Sequence, residues 1–210
     1  MAKQKNYVSE AVMRRIPRYY RYLTDIEKMG TERISSRELS QRMRLTASQI
    51  RQDFNCFGGF GQQGYGYNVS ELRQELQKIL GLNMDHHVIV IGAGNLGQAL
   101  ANYTGFKKDG FLVNGLFDIN PRLIGISIRG INIYDLDDLE RFTDQNPIQI
   151  AAICTPKEKA QEVTDRVIRN GIKGIWNFAA VDITVPQDVV VENVHLSDSL
   201  YTLSFRMNDY

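Results

Sequence analysis

No apolar run in this chain approaches the eighteen or more residues that span a bilayer, so no membrane helix is expected. The opening stretch MAKQKNYVSEAV is basic but has no apolar centre, which predicts no secretory signal. Cysteine is scarce. Cys56 and Cys154 stand nearly a hundred residues apart, which excludes a disulfide framework and a four-cysteine zinc site. A reducing, cytoplasmic setting is the resulting expectation. Only three histidines occur, and none stands in a metal-ligand spacing or a Ser-His-Asp order. His86 and His87 precede an apolar strand, and His195 precedes the last helical stretch, places that favour structural roles. Repeats and low-complexity tracts are absent as well.

What is present is a chain of 210 residues, 43% hydrophobic, enough for one large domain or two small ones. Its net charge of +1 conceals an asymmetry. Residues 1–82 hold 14 Lys and Arg against 8 Asp and Glu, a net of +6; residues 83–210 hold 11 against 16, a net of −5. A basic first part joined to an acidic remainder points to a polyanion partner for the first part alone, with chance surface variation as the bland alternative.

The first eighty residues read as helices. Val12, Ile16, Tyr19, Tyr20, Leu23 and Ile26 recur at helical spacing, and Gly30 supplies a stop. Pro17 either opens the main helix at its first turn or lies within a longer one. Ser35 with Glu38, and Thr46 with Gln49, form two successive capping signatures. Leu39 and Met43 mark the inner face of one helix, and Ile50, Phe54 and Phe57 that of the next. The short break at Arg44 and Leu45 is helix-turn-helix spacing. GGFGQQGYGY, Gly58 to Tyr67, has five glycines among aromatics and suits a tight hairpin, the wing of a winged helix. Residues 68–82 return to helix with Leu72, Leu76 and Ile79 inward, and GLNMD serves as a linker.

From His87 onward short apolar strands alternate with helices: strands at 88–91, 112–117, 131–134, 148–154 and 174–178, helices at 96–104, 136–142 and 157–169. This alternation predicts an α/β domain with a doubly wound parallel sheet of Rossmann type. The last stretch carries Leu196, Leu200, Leu203 and Met207 on one helical stripe, to be buried on its own domain or on a partner subunit.

Two stretches carry chemistry. In VIVIGAGNLGQAL, Gly92, Gly94 and Gly97 stand in dinucleotide-fingerprint spacing after a strand, with Ala93, Asn95 and Leu96 completing the turn into a helix. A pyrophosphate then meets unpaired amides at the helix N-terminus. Asp118, 26 residues past Gly92, is placed to accept hydrogen bonds from an adenosine ribose and to repel a 2′-phosphate, favouring NAD(H) over NADP(H). A Rossmann-like domain that binds another adenine nucleotide, or none, is the alternative. In the 46–57 helix, Thr46 opens the segment and Ser48, Gln49, Arg51, Gln52 and Asn55 point outward, suited to base edges in a major groove. Gln62 and Gln63 form the wing tip. Arg14, Arg15, Arg18, Arg37, Arg42 and Arg44 are available to backbone phosphate. Cys56 near that helix end reads as a packed thiol. Few residues remain for a substrate domain with a positioned acid or base, so the nucleotide reads as a signal and not as a reagent. The competing readings are a small oxidoreductase with a basic appendage and a nucleotide-binding scaffold that touches no DNA.

With these motifs in place, the chain resembles the Rex redox-sensing transcriptional repressors, from about Ser9 to Phe205 and including GIKGIWNFAAVDITVPQDVVVENVHLSDSL. The resemblance implies a homodimer whose C-terminal helix swaps onto its neighbour, binding operator DNA when NADH is scarce and releasing it when NADH binds. It implies cofactor contacts at Gly92, Gly94, Gly97 and Asp118, and a nicotinamide pocket at Thr155, Pro156, Asn177, Phe178 and Tyr103. It also implies an interdomain switch through Arg21, Tyr103 and the position of His195. Some members carry an acidic residue where this chain has His195, so that particular ion pair is not expected here. Many carry Lys or Arg in place of Gln52, Gln62 and Gln63, and the loss of those charges weakens general phosphate affinity. The expected organisation is a winged-helix domain over 1–82, an NAD(H)-binding domain over 83–195 and a dimerisation helix over 196–210.

Overall fold

The computed structural model describes residues 8–58, 60 and 65–208. The chain divides into two compact units, one ending at Met84 and one beginning at Asp85.

In the first unit, α1 (Glu10–Lys28) begins where Ser9 accepts the Val12 amide, and it runs through Pro17. The longer of the two helices is thus the one formed. Burial of Val12, Ile16, Tyr19, Leu23 and Ile26 at alternating three- and four-residue steps outweighs the single backbone bond that proline cannot donate. Gly30, at φ +81°, ends the helix. β1 (Arg33–Ile34) precedes α2 (Ser36–Met43), whose reciprocal capping box joins Ser35 and Glu38 as expected. Arg44 adopts a left-handed conformation and turns the chain into α3 (Ala47–Asn55). The Thr46 hydroxyl accepts the Gln49 amide at 3.1 Å. Thr46→Ala should therefore cost the first unit about 1 kcal/mol in denaturant melting, with Thr46→Ser near wild type. Equal stability of all three would remove the cap from the account.

Of the expected wing, residues 59 and 61–64, which include Gln62 and Gln63, lie outside the described residues. The strand seen here is β2 (Tyr67–Asn68), and it pairs antiparallel with β1, Arg33 opposite Asn68 and Ile34 opposite Tyr67. Gly66 permits that approach, because a Cβ there would stand 2.7 Å from the Ile34 carbonyl oxygen. α4 (Val69–Ile79) buries Val69, Leu72 and Leu76, while Ile79 is exposed, contrary to the sequence expectation. Leu80, four residues past Leu76, packs against the same core in its place.

The second unit is a seven-stranded sheet ordered β5-β6-β4-β3-β7-β8-β9. Its strands are β3 (His86–Ile91), β4 (Phe111–Asp118), β5 (Ser127–Ile128), β6 (Ile131–Asp135), β7 (Ile150–Ile153), β8 (Gly174–Asn177) and β9 (Val190–Asn193). All ladders are parallel except β5–β6. Its helices are α5 (Asn95–Asn102), α6 (Gly105–Lys108), α7 (Leu139–Gln145, led in by a 3₁₀ turn at Leu136–Asp138), α8 (Lys157–Arg169) and α9 (Leu196–Asn208). The edge strands β5 and β9 and the single turn α6 were not anticipated, since two- and four-residue edges carry little periodic signal.

Alternation along the strands divides the core. Ile89, Ile91, Phe117, Ala151, Ile153 and Ile175 face α7 and α8, where Leu139, Ala160, Val163 and Val167 meet them. Val90, Leu116, Ile133 and Ala152 face the other way, toward Ala101 of α5. Chain order reverses between β3 and β7, and a doubly wound sheet opens its ligand crevice at the carboxyl ends of those strands. No residue of α9 is buried; Leu196, Leu200, Leu203 and Met207 stand 53 to 68% exposed. Among the described residues, no helix is long and apolar enough to cross a membrane.

Candidate functional site

The crevice is built from the ends of β3, β4 and β7. Gly92 leaves β3 at φ +99°, and a Cβ on it would lie 2.6 Å from the Cys154 carbonyl oxygen, so only glycine lets the two loops abut. Gly97 presses α5 onto the strand; its Cβ would stand 1.9 Å from the Gly92 carbonyl oxygen. Gly94 has nothing within 4 Å of its Cβ position, and α5 begins there with no side chain capping it. The first-turn amides of Asn95, Leu96 and Gly97 thus begin a helix that leaves room for an anion.

Asp118 ends β4 beside this turn. Its carboxylate accepts the Ala93 amide at 2.7 Å and the Asn120 amide at 2.8 Å, and its second lone pairs remain for a ligand. Ala93 is itself fully buried with its amide committed to Asp118, so it shapes the turn. Gln98, not singled out from the sequence, braces the same turn by donating to the Ala93 carbonyl at 2.8 Å.

On the β7 side, the Thr155 hydroxyl oxygen is buried without a hydrogen-bond partner in the structure. An orphaned hydroxyl beside an open glycine turn is a polar group awaiting a ligand. Pro156 caps α8. Burial pushes the Cys154 thiol up to about 12, which keeps it protonated and unreactive. Asn177 is fully buried: it donates to the Val181 carbonyl and the Asn193 side chain and accepts from the Ala179 amide. It therefore holds the loop after β8 in place. Phe178 follows it, half-buried, its ring 4.5 Å from Trp176. Tyr103 ends α5 and is 61% exposed, its ring 4.7 Å from Phe106. His195 lies within 3.0 Å of Asp182, just ahead of α9. Arg21 is exposed on α1.

In the first unit, Ser48, Arg51, Gln52 and Asn55 are exposed along one stripe of α3, at steps of three, one and three residues. Arg51 is steadied by the Ser36 hydroxyl at 3.1 Å. The Thr46 oxygen is engaged in the cap, and Gln49 is half-buried. Arg44 is exposed at the turn, whereas Arg14 folds onto Glu10 at 2.7 Å. Arg15 is not free for phosphate as the sequence reading had it. Its Nε and Nη2 donate to Asp53 at 2.6 and 2.8 Å, and the Tyr19 hydroxyl donates to the same carboxylate at 2.6 Å. Burial first, then that bond, raises the Tyr19 hydroxyl above the usual phenol range, so it stays a donor. Asp53 was missed although its place between Ile50 and Phe54 puts it on the apolar stripe, where a carboxylate requires a partner. The Cys56 thiol donates to the Gln52 carbonyl, in keeping with a packed thiol.

Residues 7–55 match a family described as "Putative DNA-binding protein N-terminus", and residues 83–181 match one described as "CoA binding domain". The redox-sensing transcriptional repressor Rex of Thermoanaerobacter pseudethanolicus is 59% identical over 206 residues, covering 98% of this chain and 92% of that protein. That of Clostridium botulinum is 59% identical over 208 residues, covering 99% of each. Among solved structures, RSP in complex with β-NAD+ and operator DNA matches with a TM-score of 0.92 and 59% identity, covering 96% of this chain and 93% of that one. RSP in complex with β-NADH matches with a TM-score of 0.90 and 56% identity, covering 97% and 95%.

Proposed function

The chain belongs to the Rex family of redox-sensing transcriptional repressors, and from that premise we propose that it grips operator DNA through its first unit and is released when NADH fills its second. It is a regulator and not an enzyme, as its close relatives are named repressors. The observation that carries the reading is one chain holding both an exposed polar stripe on α3 and an uncapped glycine turn that abuts the loop bearing the orphaned Thr155 hydroxyl.

The α5 amides would hold the pyrophosphate, with Gly94 allowing its approach. Asp118 would accept from the adenosine ribose while still bracing Ala93, and its charge disfavours a 2′-phosphate. Thr155 would meet a polar group of the ligand, and Phe178 would lie against the nicotinamide. An apolar wall favours the uncharged reduced ring over the cationic oxidised one on desolvation grounds. NADH shifts DNA binding only by its differential affinity for the two states; a hundredfold preference corresponds to about 2.7 kcal/mol. On α3, Arg51, Gln52 and Asn55 would read base edges, and Arg44 would meet phosphate.

The uncovered sheet face supports a dimer. Beyond α5, residues Val88, Val90, Phe111, Ile150, Trp176 and Val190 line an apolar groove of about 420 Å³. The exposed apolar side chains of α9 on a second copy would fill it and lose their own exposure.

The test is a titration of the protein–operator complex. NADH should dissociate it, and NAD+ should fail to do so or oppose NADH. Equal potency of the two would end the sensor reading.

A further inference from the structure

Four aromatic rings form an unbroken file through the second unit. Tyr103 stands 4.7 Å from Phe106, Phe106 stands 5.5 Å from Trp176, and Trp176 stands 4.5 Å from Phe178. All three contacts are edge-to-face, at interplanar angles of 69°, 77° and 62°. In this geometry the edge of one ring is set against the face of the next, so a ring that turns must displace its neighbour. Both ends are held. Gly105 lies under the Tyr103 ring, where a Cβ would stand 2.4 Å from a ring carbon. The Phe178 amide donates to the Ile153 carbonyl, and the Asn177 side chain grips the loop that follows. Phe106 and Trp176, the two middle rings, also line the apolar groove on the uncovered sheet face.

We infer that Phe106 and Trp176 are positioning residues that carry the state of the nicotinamide pocket from Phe178 to Tyr103 and to the wall of that groove. The inference rests on the NADH-sensing reading above, and it assigns that reading a route. A ligand ring that moves Phe178 has Trp176 as its next ring along the file. Trp176 bears on Phe106, and both form the surface on which a second copy's α9 would lie. Packed side chains with discrete arrangements pass displacement in this way.

Leucine substitutions keep apolar bulk but remove the flat edges. Phe106→Leu and Trp176→Leu should each bind NADH within about twofold of wild type, yet the factor by which NADH weakens operator binding should fall about tenfold. Trp176→Phe retains an aromatic edge and should restore most of that factor. An undiminished factor in both leucine variants would overturn the inference. A second measurement needs no substitution. Trp176 is the sole tryptophan in the chain, so protein grown on 5-fluorotryptophan yields one fluorine resonance. Its chemical shift should differ between the NADH and NAD+ complexes, and identical shifts would overturn the route through Trp176. Failure of NADH to release operator from the wild type would instead strike the underlying reading.

Discussion

Asp53→Ala is expected to destabilise the first unit by about 3–5 kcal/mol while leaving the second able to bind NADH. Asp53 is 2% exposed and accepts two hydrogen bonds from Arg15 and one from Tyr19, both on α1. Its removal strands a largely buried guanidinium and a fully buried hydroxyl with no acceptor. Deleting one partner of a buried ion pair costs about 3–5 kcal/mol, against a whole-domain stability of about 5–15 kcal/mol. Denaturant melting of the full chain should show an early transition missing from the wild type, together with loss of operator binding. The double substitution Arg15→Met with Asp53→Leu removes both charges and should recover most of the stability, because neither desolvated group is then left alone. A single variant within about 1 kcal/mol of wild type would show that the clamp does not hold α3 to α1.

Gly97→Ala should abolish cofactor response while sparing DNA binding. The added methyl would stand 1.9 Å from the Gly92 carbonyl oxygen and 3.2 Å from a Val90 methyl, so α5 must lift from β3 and carry its first-turn amides away from the pyrophosphate position. A shift of that kind should weaken NADH by at least about a hundredfold, or about 2.7 kcal/mol. The variant should then stay on operator DNA at NADH concentrations that clear the wild type, as read by fluorescence anisotropy of labelled operator. Wild-type NADH affinity in Gly97→Ala would separate the glycine turn from the ligand.

These two predictions differ in how far the sequence foretold them. The glycine spacing, the strand before it and Asp118 were all readable, because a fingerprint of this kind is a local arrangement of turn, strand and helix. The role of Gly97 as a contact with Gly92 follows from the same short segment. The Asp53 clamp was not read, since its partners Arg15 and Tyr19 lie on a different helix and nothing local marks an arginine as spent. Asn177 and Ala93 show the same limit in the second unit. The resemblance puts Asn177 at the nicotinamide pocket and Ala93 stands in the glycine turn, but nothing local marks the bonds that tie the Ala93 amide to Asp118 and the Asn177 side chain to the loop after β8. The helix starts at Ser35 and Thr46 succeeded because a cap is satisfied within four residues. The strands β5 and β9 failed because edge strands so short owe their existence to the neighbour they pair with.

Sequence by itself determined the helix periods, the helix caps at Ser35 and Thr46, the glycine turn and the change from helical to alternating segments near residue 86, all of which arise from interactions a few residues apart. Tertiary structure alone decided that β2 pairs with β1, that Asp53 gathers Arg15 and Tyr19, that Thr155 is left with an unanswered hydroxyl, and that four aromatic rings fall into file. The physical reason is that burial and hydrogen-bond partnership are properties of the assembled neighbourhood, set by chain segments whose distance in sequence carries no signal in either one alone.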